Sequence, residues 1–307
     1  MSREGERLPS AFIILAALSW GFISIFTKKL TSYGFTEMEI VTIRVVYAWI
    51  LLFPLTFLQK KQAMFKIKLK HLPFFVGTGL LSIVFFNWCY FTAINQLSVS
   101  LAVMLLYTSP AFVAILSYFI LKEKLSLKKF FAIIVTITGC TLIAISSSGG
   151  GTSWNWGGFI IGLGAGLGYA LYSIFGKLAL KHYDSMTITF YTFLVASVSL
   201  APFFHFWRKM SDFTIENHLY MIGLATVPTV LAYLLYTIGL NKVESSTAAI
   251  LATMEPVAAI LVGIILFKED IVILQFIGIL FILSSVFILS IKRKTKGDLS
   301  KRISKEF

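Results

Sequence analysis

Residues 95–123 read NQLSVSLAVMLLYTSPAFVAILSYFILKE, and residues 241–269 read NKVESSTAAILATMEPVAAILVGIILFKE. Each is one long apolar stretch opened by asparagine, carrying a proline at the same depth and closed by Lys-Glu. A helix needs about 20 mainly apolar residues to cross a ~30 Å hydrocarbon core. Stretches of this length are too long for the buried strands of a soluble sheet, and they lack the alternation of a membrane barrel. In lipid the backbone must satisfy its own hydrogen bonds, so each stretch reads as a transmembrane helix. The rest of the chain repeats this pattern. Of its 307 residues, 57% are hydrophobic and 13% charged, about half the charged share of a soluble domain. The sequence predicts an all-α integral membrane protein with ten transmembrane helices, over 9–27, 39–58, 72–93, 99–120, 128–147, 156–176, 186–206, 218–239, 247–267 and 272–291.

The two quoted stretches align without gaps at an offset of 146, with Asn95/Asn241, Ala102/Ala248, Leu105/Leu251, Pro110/Pro256, Lys122/Lys268 and Glu123/Glu269 identical. Earlier in each half, Ser24-Ile25-Phe26-Thr27-Lys28 matches Ser173-Ile174-Phe175-Gly176-Lys177 at an offset of 149. The chain therefore divides into five-helix repeats over 9–147 and 156–291, joined by a Ser/Gly linker at 146–153 and followed by a basic tail over 292–307. Five is odd, so the second repeat crosses the membrane in the opposite sense to the first. Inverted repeats of this kind are typical of secondary transporters, with the site near the midplane between them.

Lysine and arginine set the orientation. With the N-terminus inside, 21 of the 27 fall on inside segments, five fall on outside loops, and Arg44 lies within the second helix. This asymmetry puts both termini in the cytoplasm of a multi-pass protein of the cytoplasmic membrane. It also accounts for the net charge of +13 by a lipid surface rather than by nucleic acid. The first apolar block, from Ala11 to Thr27, is too long for a signal-peptide core and has no cleavage site after it, so it reads as a retained helix. Cys89 and Cys140 form neither a metal pattern nor a disulfide framework and read as packing residues. The sequence gives no sign of a cofactor or metal. Lipid-facing and protein-facing apolar surfaces look alike, which leaves a homodimer open.

Glu255 is the most informative side chain. An ionised carboxylate near the middle of a transmembrane helix costs at least a few kcal/mol unless it faces a polar cavity. In such a cavity it can bind a cation or exchange a proton; otherwise it accepts hydrogen bonds where Pro256 frees backbone groups. Pro110 and Pro256 each remove an intrahelical bond and predict kinks at matched depths of the two repeats, which serve either a transport site or static packing. Trp20, Tyr107, Tyr169, Tyr172 and Tyr233 lie at mid-depth, and Asn87 aligns with Tyr233. Buried tyrosine and tryptophan need polar partners and can hold a cation on their faces, so these six and Glu255 are the candidate substrate-binding residues. Taken singly, each aromatic is more often packing. Arg44 lies about six residues inside its helix, a depth that favours snorkelling to the interface; the alternative is pairing with Glu255 or with a substrate carboxylate. Gly158, Gly162 and Gly166 recur every four residues, with Gly164 and Gly168 on a second line, and allow close helix approach.

Ser19-Trp20-Gly21, Ser109-Pro110-Ala111-Phe112 leading to Leu121-Lys122-Glu123-Lys124-Leu125-Ser126, and Glu255-Pro256-Val257 leading to Lys268-Glu269 occur in order. With Arg44 and ten spans, this set resembles the tandem EamA-type domains of the drug/metabolite transporter superfamily. The resemblance covers nearly the whole chain. It implies a ten-helix bundle of two inverted repeats that carries small metabolites, often amino acids or amines, and often outward. Tyr169 aligns with Trp20 and Phe193 with Arg44, so the two halves are not functionally equivalent. The aspartates and histidines sit at loops or helix ends, which excludes an intramembrane enzyme. There is no ATP site, so concentrative transport would draw on an ion gradient, protons being the coupling ion that Glu255 suggests. A passive channel and a receptor or scaffold for small metabolites are the alternatives. The expected partners are a small-molecule substrate and the lipid bilayer.

Overall fold

The computed structural model describes residues 4–58, 67–146, 155–212 and 214–290; the linker at 146–153, beyond Ser146, and the tail at 292–307 lie outside them. The described residues form ten helical rods and no strand. They are α1 (Leu8–Ser32), α2 (Glu37–Thr56), α3 (Leu69–Gln96), α4 (Val99–Leu121), α5 (Leu127–Ser146), α6 (Trp156–Ala179), α7 (Ser185–Leu200), α8 (Ile215–Lys242), α9 (Ser245–Phe267) and α10 (Ile273–Leu289). Eight are long and apolar enough to cross a membrane, and α7 and α10 are shorter apolar helices. The chain is a multi-span membrane protein.

Two helix ends differ markedly from the sequence reading. The first helix continues to Ser32, so Lys28 and Lys29 ride on its last turns instead of a loop. The seventh helix ends at Leu200 rather than near 206, because Pro202 has no amide to donate back to the helix. The prolines at 110 and 256 do more than kink their rods. The α4 rod is interrupted at Tyr107–Thr108 and α9 at Thr253, each two to three residues before the proline. That puts the proline within the first turn of a new helical segment, where its missing amide costs little. Threonine hydroxyls take carbonyls at both breaks, Thr108 Oγ1 donating to Leu105 O at 2.6 Å and Thr253 Oγ1 to Ile250 O at 2.6 Å.

Two widened, π-helical stretches also sit at matched places, Gly77–Val84 in α3 and Thr226–Leu231 in α8. In α8 the cause is local. Pro228 cannot donate to Leu224, and Thr229 Oγ1 takes that carbonyl instead at 2.7 Å. The two widened turns come just before Asn87 and Tyr233.

Small residues set the helix spacing. A Cβ on Gly162 would meet Leu105 Cδ1 at 2.4 Å, and one on Gly166 would meet the Leu105 carbonyl oxygen at 2.7 Å, so the first glycine line of α6 packs on α4. Gly164 and Gly168 face Cys89 and Phe86 of α3, so the second line receives a different neighbour. The rods α5 and α10 approach through Gly139 and Gly278, each with its Cβ position within 2.8 Å of the other's carbonyl oxygen. Thr136 donates to Ser285 at 2.7 Å across the same seam. With no hydrophobic drive between helices in lipid, close contact and interhelical hydrogen bonds hold the bundle together.

Candidate functional site

A cavity of about 580 Å³ lies between the two halves, within the usual ~300–1,000 Å³ range of small-molecule sites. It runs from Trp20 and Glu255 to Lys28, Thr31 and Glu37, whose side chains are solvent-exposed. The cavity therefore opens at the end of the bundle where α1 meets α2.

Six of the seven residues singled out in the sequence line it: Trp20, Asn87, Tyr107, Tyr169, Tyr233 and Glu255. Trp20 reaches the cavity because Gly21 lets α1 lie directly on α9, its Cβ position 2.4 Å from Ala258 Cβ. The Trp20 ring then meets Tyr169 edge-on at 6.3 Å and Tyr233 at 5.4 Å. Tyr107 lines it from the break in α4, and Glu255 from the segment that begins after the break in α9. Tyr169 donates its hydroxyl to Glu255 Oε2 at 3.1 Å, which fixes the carboxylate. Asn87 anchors itself by donating to Ile83 O at 2.7 Å.

Tyr172 is the exception. It does not line the cavity; its hydroxyl pairs with Thr237 Oγ1 at 2.7 Å and its ring packs edge-on against Tyr233 at 5.0 Å. It stands one position behind the wall and buttresses Tyr233. Pro110 likewise acts from behind, through the break beside Tyr107.

Arg44 overturns the interfacial reading. It is only 7% exposed and lines the cavity with Glu255. The guanidinium lies within electrostatic reach of both Glu255 and Tyr233, yet its Nε–H has no partner. Depth along the helix suggested the interface, but rotation about the helix axis turns the side chain inward, onto the cavity that Glu255 and Tyr233 also line. A buried donor without a partner costs about 1–3 kcal/mol and suits an acceptor arriving with a ligand. Phe86, Tyr90 and Phe91 also line the cavity and were not singled out in the sequence. The available signal was spacing: Tyr90 and Phe91 stand at i+3 and i+4 from Asn87, and Phe86 at i−4 from Tyr90, which gives one helix face.

The site thus has one buried cation, one carboxylate and an aromatic wall. The Arg44 guanidinium and the Glu255 carboxylate line the same cavity. Among the described residues no group of three or more His, Cys, Asp or Glu could hold a metal ion.

A solved crystal structure superposes with a TM-score of 0.75 over 94% of this chain and 97% of the other, at 16% identity, which establishes the shared fold. An uncharacterised transporter of Archaeoglobus fulgidus is 29% identical over 92% of this chain and 96% of its own length. One from Clostridium kluyveri is 24% identical over 94% and 95% respectively. The sequence pattern of the EamA-like transporter family matches residues 8–145 and again residues 156–291, so the chain belongs to the EamA-like transporter family.

Proposed function

We propose that the protein is a secondary-active carrier that moves small metabolites, amino acids or related amines, across the cytoplasmic membrane by alternating access, in the export direction. The observation that carries this reading is the pairing of Arg44 and Glu255 in one aromatic-walled cavity. A substrate carboxylate would take the unpartnered Nε–H of Arg44. A substrate ammonium would approach Glu255 and the faces of Trp20 and Tyr169, where a cation gains further from the ring quadrupole. Glu255 is also the residue that would bind a proton in place of the substrate ammonium, so that the two occupy it in turn and their fluxes are coupled. The bias of lysine and arginine supports both termini in the cytoplasm, and the cavity would then open to the outside in the conformation described.

The test is flux in proteoliposomes with a panel of amino acids, the corresponding decarboxylated amines, and nucleobase-like metabolites, with and without a pH gradient. Saturable movement of amino acids supports the carrier, linear unsaturable flux indicates a channel, and ligand-induced thermal stabilisation without flux indicates a receptor. Arg44→Gln is expected to weaken the apparent affinity for amino acids by about tenfold or more, the loss of one hydrogen bond to a charged group. The decarboxylated amines should be affected far less. An equal loss for both classes would remove Arg44 from the recognition of the carboxylate.

A further inference from the structure

The helix ends closed by Lys-Glu in the two repeats have the same fold but opposite bonding. At the end of α4, Lys122 takes a left-handed conformation (φ 60°) and Glu123 N donates to Ser117 O at 3.1 Å. At the end of α9, Lys268 does the same (φ 57°) and Glu269 N donates to Gly263 O at 3.1 Å. A left-handed lysine is unfavourable by about 1–2 kcal/mol, so both repeats hold a strained turn that presents the following glutamate in the same way.

At the end of the bundle where the cavity is closed, the glutamate clamps the other repeat. Glu123 accepts from the amide of Ser245 at 2.8 Å and from that of Ser246 at 3.4 Å, the first turn of α9, where unpaired amides favour a carboxylate. Lys177 donates to the carbonyls of Leu240 and Val243 at 2.6 and 2.7 Å, at the end of α8. At the open end, the aligned glutamate and lysine hold each other, Lys28 Nζ meeting Glu269 Oε1 at 2.9 Å.

We propose that Glu123 and Glu269 are repeat-related latches that in turn clamp the first turn of a helix in the opposite repeat, while Lys177 and Lys28 brace the adjoining helix end within their own repeat. When the open end closes, Glu269 moves to the amides of Val99 and Ser100, and Lys28 to the carbonyls of Ile94 and Leu97, the positions aligned with the acceptors and donors seen at the closed end. Glu123 and Lys177 then pair with each other. This rests on the alternating-access reading above. The latches are not equal. Lys129, 9% exposed, pairs with Glu244 at the closed end, and its aligned positions at the open end are Gln275 and Ser98, which cap their own helices. That extra ion pair favours the conformation described here.

The test is the distance between spin labels in the full chain in nanodiscs, with the two buried thiols, Cys89 and Cys140, replaced by alanine. One pair is Lys124→Cys with Asn241→Cys, and the repeat-related pair is Asp270→Cys with Asn95→Cys; all four positions are exposed. Adding Glu123→Gln is expected to shift the ratio of the two populations by about tenfold, the effect of losing hydrogen bonds to a charge. The 124–241 distance lengthens as the 95–270 distance shortens. Lys129→Gln moves both in the same direction, and it carries the test if the Glu123 variant does not fold. No shift, or lengthening at 124–241 without shortening at 95–270, would overturn the latch and leave Glu123 as a plain helix cap. The distances need no substrate. Linked distances with no flux across the panel would remove the transport reading alone, and flux with unlinked distances would remove the latch alone.

Discussion

Glu255→Gln is expected to lower saturable amino-acid flux by about a hundredfold, the loss of a charge-assisted hydrogen bond to the substrate ammonium, and to flatten the dependence of flux on a pH gradient. The substitution keeps the shape of the side chain. An amide oxygen can still accept the hydroxyl of Tyr169, which lies 3.1 Å from Glu255 Oε2, so the wall of the cavity should stand. What is lost is the negative charge facing the cavity, and with it the attraction for an ammonium group and the capacity to carry a proton. Thermal unfolding in detergent should change little, which separates a lost binding charge from a lost fold. Tyr169→Phe provides the comparison, because it removes the bond that orients the carboxylate but leaves the charge; its effect should be smaller. Parent-level flux with an unchanged pH profile in Glu255→Gln would remove the carboxylate from both binding and coupling.

The largest structural effect is expected at Gly166. A Cβ there would lie 2.7 Å from the Leu105 carbonyl oxygen and 2.7 Å from Thr108 Oγ1, directly against the break in α4. The oxygen is backbone, so it cannot swing aside, and the threonine hydroxyl is already committed to Leu105 O. Gly166→Leu should therefore destabilise the protein by about 1–3 kcal/mol through overpacking, even after leucine's better helix propensity returns about 1 kcal/mol. It should also abolish flux, because Tyr107 and Tyr169 sit on the two surfaces forced apart. Gly157→Leu serves as the control. Its nearest neighbours are the side-chain oxygens of Gln96 at 3.6 Å and of Asn155 at 3.3 Å; the latter caps the Gly157 amide, so the substitution risks at most about 1 kcal/mol of a helix cap and meets no backbone. Equal melting temperatures for the two variants would show that the α4–α6 contact does not depend on the missing side chain.

These two sites mark what a linear reading can and cannot reach. The sequence by itself determined the ten helices, the duplication and the place of Glu255 midway along the ninth helix. Spanning a bilayer is a constraint on length and polarity along the chain, and the repeat is written in matched residues such as Pro110 and Pro256. It also showed that α6 would pack closely, because Gly158, Gly162 and Gly166 lie on one line. Only the tertiary structure decided which neighbour each glycine line meets, that Arg44 turns inward, that Tyr172 stands behind Tyr233, and that Phe86, Tyr90 and Phe91 face the cavity with Asn87. The reason is rotational. In lipid, a residue facing the bilayer and one facing another helix can be equally apolar, so depth is legible in the sequence but the direction a side chain faces is not. That direction is set when helices come close enough for Gly21 to lie on Ala258 and for Arg44 and Glu255 to line one cavity.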